Sequence, residues 1–361
     1  MTPEAAPSAQ AGASVSAIRL EPTFVPRIWG THALAPLFPN ARAASETIGE
    51  VWLTGEECRF ASGPFEGRTL REAWRELPAA WTGTQLQGRP QIPLLVKFIF
   101  SEDKLSVQVH PDDAYAARHE QAAGGAGKTE MWYVVAAREG AEVRVGLRPQ
   151  VTRESLERAL GEECAENSLV PLPLRKGDSV FVPAGTAHTI GPGLLLCEIQ
   201  EYSDITYRVY DYGRAGADGK PRALHIAKAL EVMRFGEQSG GRLTPFPPAT
   251  DAGERSLLVA CRHFAVERWT FSSRRPAKTS RERFELLIVI EGEGDIETGG
   301  APAKYAPGEA WFLPAALGEY AIVPRAATTI LRALVPNFAA LEQELAAQGA
   351  NPAALTRTVF P

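Results

Sequence analysis

The chain is broken into short apolar runs by Gly and Pro, and few of those runs are long enough for a helix. Residues 18–55 alternate brief apolar stretches with such punctuation, as in Arg27-Ile28-Trp29-Gly30, and predict short strands and loops. Residues 93–100 read PLLVKFIF, a near-continuous apolar run that suits a buried strand. Residues 106–110 alternate and predict another strand, as do 130–135 (EMWYVV), 178–182, 194–200 and 206–210. Helical spacing appears at 70–77 behind Thr69, a candidate N-cap, and at 112–121, entered from Pro111. It appears again at 151–160, capped by Thr152 with Glu154 and Glu157 in the early turns. Residues 222–235 predict an amphipathic helix with Ile226, Ala227, Leu230 and Met233 on one face. A Pro/Gly-rich stretch, 236–253, reads as a linker. Strands resume at 265–271, 284–290, 295–298 and 310–313, and a helix at 338–348 closes the pattern.

The pattern repeats once. Gly177-Asp178-Ser179-Val180-Phe181-Val182-Pro183-Ala184 matches Gly308-Glu309-Ala310-Trp311-Phe312-Leu313-Pro314-Ala315 as G-[DE]-x-x-F-x-P-A. Upstream of each copy lies an apolar strand headed by an acid, Glu130-Met131-Trp132-Tyr133 and Glu285-Leu286-Leu287-Ile288. Two copies of one β-barrel unit explain this. The expected fold is mainly β with helical insertions, built as two cupin-type jelly-roll barrels. The expected divisions are a disordered extension at 1–17, a first cupin domain at 18–240, a second at 241–336, and a helix and tail at 337–361.

Composition narrows the function classes. The chain has 361 residues, 45% hydrophobic and 22% charged, as an ordinary globular protein does. No apolar run is long enough for a membrane span, and no secretory signal is visible. Net charge is −5 without a concentrated basic stripe, which argues against a nucleic-acid partner. The four cysteines (Cys58, Cys164, Cys197 and Cys261) form no CxxC pair, so neither a thiolate zinc site nor a disulfide framework is expected, and a cytoplasmic setting fits.

The chemistry sits in the first copy. Gln108 and His110 lie two apart in Leu105-Ser106-Val107-Gln108-Val109-His110-Pro111-Asp112-Asp113, so a strand aims both at one face. Glu130 follows Gly127-Lys128-Thr129, and His188 ends Pro183-Ala184-Gly185-Thr186-Ala187. Two imidazoles, a carboxylate and an amide suit Zn²⁺ with a position left open; two histidines and a carboxylate also suit Fe(II). Gln108 reads either as a ligand or as a group that orients His110. Asp112 and Asp113 read as helix caps, and His263 as structural. In the second copy Glu319 stands where His188 does, so that barrel is expected to be degenerate, with the first one metal-binding. On the strand at 206–210, alternation places Thr206, Arg208 and Tyr210 on one face. Arg208 is expected to meet a sugar oxyanion or phosphate, the alternative being a salt bridge to Asp204 or Asp211. Lys97, inside its apolar run, either snorkels to solvent or projects into the cavity toward an anion, and Lys128 reaches the same place.

These segments together resemble the class I mannose-6-phosphate isomerases in their shorter bacterial form. The resemblance runs from about residue 24 to 335, through Arg27-Ile28-Trp29-Gly30, Ile48-Gly49-Glu50, 93–113, 127–130, 177–190 and 203–214. It implies interconversion of mannose 6-phosphate and fructose 6-phosphate, with one Zn²⁺ per chain held by Gln108, His110, Glu130 and His188. It implies Arg208 as the catalytic arginine, and Ser106, Lys97 and Lys128 near the substrate and its phosphate. Arg214 falls where some relatives have lysine, and is assigned to the substrate side. Thr31 and Val51 depart from the family pattern without touching the ligands. An enediol route needs a base, for which Lys128, Glu198, Asp204 and a zinc-bound water all qualify; Lys128 is grouped with Arg208 as catalytic. The expected partner is a phosphosugar only, and the chain a monomer or homodimer. A cupin Fe(II) dioxygenase and a non-catalytic sugar-phosphate sensor are the competing readings; the two lysines argue against the first and the full ligand set against the second.

Overall fold

The near-continuous apolar runs have a single structural cause. Strands Leu94–Ser101 and Leu194–Glu201 are buried along their whole length, as is most of Glu130–Ala137. In the computed structural model, which describes residues 15–41, 46–216, 219–236, 240–247, 254–348, 350–351 and 355–360, they lie at the centre of a seven-stranded sheet. One face of that sheet, with Val96, Phe98, Met131, Tyr133, Cys197 and Ile199, packs on an eight-stranded sheet through Leu286, Ile288, Phe312 and Leu331. The opposite face, with Ile99, Trp132, Val134 and Leu196, packs on a five-stranded sheet through Val143, Val145 and Ile190. Strand alternation therefore has an apolar partner on both sides, and no polar face is needed. Truncating a side chain such as Phe98, which lies in the shared core, costs about 3–5 kcal/mol.

The eight-stranded sheet repeats the arrangement. Its outer face, with Trp269, Leu287, Trp311 and Ile330, packs on a four-stranded sheet through Ile296, Tyr305, Tyr320 and Ile322. The architecture is thus two cupin-type sandwiches joined back to back through their large sheets. The sequence repeat is a structural one: Val182 pairs with Glu130 in the first large sheet, and Leu313 with Glu285 in the second.

Local signals place several helices. Thr69 caps Leu70–Ala73 in a reciprocal capping box with Glu72. Thr152 caps Arg153–Gly161, Asp112 caps Asp113–His119, and the closing helix is Phe338–Ala347.

Elsewhere tertiary pairing overrides the local reading. The helix expected at 222–235 is only Ile226–Val232; it buries Ala229, Leu230 and Met233, and Ala227 faces solvent. Within the expected linker at 236–253, Gly241–Arg242 is a strand paired to Ser179–Val182, and residues 237–239 and 248–253 lie outside the described residues. Residues 1–14 of the expected disordered extension also lie outside them, whereas Ala17 is buried in the second sandwich. The strands do not follow the boundaries 18–240, 241–336 and 337–361. Ile18–Glu21 pairs with Ala310–Leu313, Gly241–Arg242 joins the first large sheet, and Val359–Phe360 pairs with Arg255–Cys261. Sheet edges close on whichever strand is adjacent in space, wherever it stands in the chain.

Candidate metal centre and its cavity

Three strands of the five-stranded sheet build one wall. Val107–Val109 lies between His188–Ile190 and Tyr207–Tyr210, with Gln108 opposite His188 on one side and Arg208 on the other. Directly opposed residues share a face, so all three side chains stand together. His110 follows two residues on. Glu130 comes from the facing large sheet, and its turn is held tight: a side chain at Gly127 would lie 2.5 Å from Asp113 N, and Asp113 Oδ1 accepts from Gly127 N at 2.8 Å. Asp112 and Asp113 are thereby accounted for as cap and turn groups.

His110, Glu130 and His188 offer ligand atoms within 4.8 Å of one another, all buried. His110 Nδ1 donates to Ile205 O at 2.8 Å and His188 Nδ1 to Thr186 O at 2.9 Å. Those bonds fix both tautomers and turn each Nε2 lone pair toward Glu130, at 3.6 and 3.3 Å. Burial drives both imidazole pKa values down, to about 4 for His188, so both rings are neutral ligands at pH 7. Burial pushes the Glu130 carboxyl up, and the Glu198 charge pushes it further. Neither Glu130 oxygen accepts a well-aligned hydrogen bond among the described residues, although Lys128 Nζ stands 2.7 Å from Oε2. A buried carboxylate in that position stays ionised only with a cation against it. The Gln108 amide lies 3.1 Å from His188 Nε2. Two neutral imidazoles, an under-bonded carboxylate and an amide make a donor set that fits Zn²⁺.

Gln108, 3.1 Å from His188, and Lys128, 2.7 Å from Glu130, join the cluster to a cavity of about 400 Å³ that both of them line. Lys97, Ser106, Gln108, Lys128 and Arg208 line it. Lys97 neither snorkels to solvent nor meets an empty space: Nζ lies 3.0 Å from Glu198 Oε1, 3.7 Å from Asp204 and 3.9 Å from Glu50. Burial disfavours its charge, but those carboxylates, Glu198 first, hold its pKa above the usual value. Arg208 makes no salt bridge to Asp204 or Asp211. Its Nη1 donates to Ala223 O at 2.9 Å, and its Nε has no acceptor among the described residues. A bulge between Arg208 and Tyr210 breaks the alternation, so Tyr210 turns away and bonds Glu163 O.

Arg214 is not brought to the cavity. Asp211 and Asp103 hold it at 2.7 and 3.0 Å, and Arg222 lines the wall in its place, its guanidinium 5.3 Å from the Trp29 ring centre. Arg222 was hidden by its placement in a helix. Glu50 and Arg27 also line the wall, bonded to each other at 3.0 and 3.1 Å; the sequence signal for Glu50 was a lone acid inside an apolar strand. His263, read as structural, has a partner: Nδ1 lies 2.9 Å from Glu201, outside this cavity.

A jelly-roll fold with this buried cluster and a cation-lined cavity defines a cupin built for a small polar ligand. The chain belongs to the type I mannose-6-phosphate isomerases, an enzyme family of isomerases: the family's catalytic-domain model matches residues 17–142 and its cupin-domain model residues 254–330. A probable mannose-6-phosphate isomerase of Bacillus subtilis, GmuF, is 35% identical over 312 residues, covering 84% of this chain and 95% of the relative. The mannose-6-phosphate isomerase of Streptococcus mutans is 34% identical over 292 residues, 80% of this chain and 89% of the relative. The crystal structure of the mannose 6-phosphate isomerase from Bacillus subtilis superposes with a TM-score of 0.80 at 30% identity, over 88% of this chain and 99% of that one. Among the described residues, no helix is long and apolar enough to cross a membrane.

Proposed function

We propose that the protein is a zinc-dependent aldose–ketose isomerase that interconverts mannose 6-phosphate and fructose 6-phosphate through an enediol. The observation that carries this reading is a cavity lined by five cationic side chains, Arg27, Lys97, Lys128, Arg208 and Arg222, in which Lys128 and Gln108 reach a buried His–Glu–His cluster. Gln108, His110, Glu130 and His188 would hold one Zn²⁺ per chain. When bound, the ion supplies Lewis acidity toward the sugar oxygens at C1 and C2.

The remaining steps belong to side chains. Ser106 and Arg222 hold the phosphate, and that binding orients C1 and C2 against the cluster. Arg208, with an Nε donor that no protein acceptor occupies, stabilises negative charge developing on the enediol oxygen. Lys97 sits among carboxylates and tunes them more than it binds an anion. Glu198 is a poor base: burial would raise its pKa, but Lys128 and Lys97 hold it at about 2. The proton transfer between C1 and C2 is assigned to Lys128 Nζ, at the cavity floor beside His110 at 3.2 Å. The first sandwich carries the chemistry, and the second packs against it through the core the two large sheets share.

The test is a coupled assay for fructose 6-phosphate formed from mannose 6-phosphate, before and after chelation, with zinc restored. Turnover lost to chelator and recovered with zinc is expected. A folded, zinc-loaded sample without turnover would reject the substrate.

A further inference from the structure

The second sandwich keeps a cavity at the repeat-related position, with its charges exchanged. In the first large sheet, Lys97 lies opposite Glu198, and Glu50 lies opposite Ile99, two residues beyond Lys97. In the second, Glu267 lies opposite Arg332, and Arg255 lies opposite Trp269, two residues beyond Glu267. The register follows from the paired acids Glu130 and Glu285: two residues on, Trp132 faces Glu198 and Leu287 faces Arg332. The acid–base–acid set Glu50, Lys97, Glu198 thus becomes the base–acid–base set Arg255, Glu267, Arg332. Lys278 opposes Glu319 where Gln108 opposes His188, and Arg283 precedes Glu285 as Lys128 precedes Glu130. No imidazole remains at these positions, so the donor set does not suit zinc.

The space has not been filled by this exchange. A cavity of about 370 Å³ remains, roofed by Leu341 and Glu344 of the closing helix. Its cations are Arg255, Arg275, Lys278, Arg283 and Arg332, against the carboxylates of Glu267, Glu282 and Glu344. The first cavity has the same excess, five cations against Glu50, Glu198 and Asp204. Arg332 is committed to Glu285 and Glu267, the latter at 3.1 Å, Arg255 pairs through one Nη with Glu267, and Arg283 Nη1 lies 3.0 Å from the half-exposed Glu282. Arg255 and Arg283 each retain a buried Nε donor with no acceptor among the described residues. An unsatisfied buried guanidinium N–H costs free energy that an oxyanion would return.

We propose that this second cavity is a binding site for a phosphate group, free or as a small monoester, held by Arg255 and Arg283 with Lys278 at the mouth. The site is separate from the zinc cavity and does not depend on the reaction assigned there. Equilibrium dialysis of the full-length, metal-loaded protein against radiolabelled inorganic phosphate measures it. Arg283→Gln should lower the affinity of one bound phosphate per chain by roughly ten- to a hundred-fold, the effect of losing a charge-assisted hydrogen bond. Isomerase turnover should stay at the wild-type level, which certifies the fold. Lys278, whose side chain is 70% exposed, provides a second variant, Lys278→Gln, that leaves packing intact and should weaken binding several-fold. Competition by glucose 6-phosphate that Arg283→Gln abolishes assigns the site to monoesters; competition by unlabelled phosphate alone assigns it to the free ion. Identical phosphate stoichiometry and affinity in wild type and both variants overturns the proposal.

Discussion

Replacing Lys97 by methionine separates charge from packing at the centre of the first sandwich. The methionine keeps the length and apolar stem of the lysine, and the site is 3% exposed, so shape changes little. What changes is the electrostatics. Glu198, fully enclosed, loses its 3.0 Å ion pair, and Glu50 and Asp204 lose the cation 3.9 and 3.7 Å away. Glu50 retains Arg27 at 3.0 Å and Asp204 is over half exposed, so the loss falls mainly on Glu198, which keeps Lys128 at 3.8 Å and the Trp132 N–H at 2.8 Å. Removing one partner of a buried pair costs about 3–5 kcal/mol, and the retained Lys128 places this case at the lower end, about 3 kcal/mol. For a chain of this size that is a fall in Tm of roughly 4 °C. The double variant Lys97→Met/Glu198→Gln removes both charges and should regain most of the loss, since a neutral buried pair carries no unpaired ion. The assay is thermal unfolding by calorimetry on the four members of the cycle, with turnover recorded in parallel. A single variant as stable as wild type, or a double variant less stable than the sum of the two singles, would refute the assignment of Lys97 as the hub of this charge set.

On the proposed mechanism, Arg208→Ala should lower kcat by roughly 100-fold or more while zinc content stays at one per chain, because Arg208 is assigned to the substrate and not to the ligand set; near-normal turnover would remove it from the mechanism. His110→Ala and His188→Ala should each lower zinc affinity by orders of magnitude and abolish turnover, read by metal analysis after dialysis; a variant that keeps its zinc would dismiss that residue as a ligand. In the second sandwich, burial would raise the Glu267 pKa, but Arg332 and Arg255 hold it at about 2, against 4.5 for an ordinary glutamate. A depressed carboxylate pKa stabilises the fold above the unfolded value, so this contribution is complete above about pH 5 and is lost as pH falls toward 2. Urea unfolding at pH 6, 4 and 3 checks the sign: Glu267→Gln should flatten the acid decline, and an unchanged slope would contradict the assignment.

Much of the site was legible because its signals are local. Gln108 and His110 stand at strand spacing, Glu130 follows a Gly turn, and His188 ends the strand-turn motif that repeats at residue 308. Those spacings survive folding because strand geometry sets them, whatever the strand meets. The capped helices were readable for the same reason: Thr69 and Thr152 bond within their own first turns. The helix expected at 222–235 shortens to Ile226–Val232 because Arg222 bonds Asp211 and lines the cavity wall, which draws the chain before it away from a helix.

By itself, the sequence determined the β-rich class, the repeat, the candidate ligand set and the family resemblance. Only the tertiary structure decided how those parts meet. It set the two large sheets back to back, which gave the near-continuous apolar runs a partner on each face. It lent strands across the expected boundaries, and it put Arg222 rather than Arg214 on the cavity. It also decided that Lys97 answers to Glu198 and that the same rung in the second sandwich carries the opposite charges. Each of these depends on the register between strands distant in the chain. Hydrogen bonding and side-chain burial select that register together, and neither leaves a periodic trace in the local sequence.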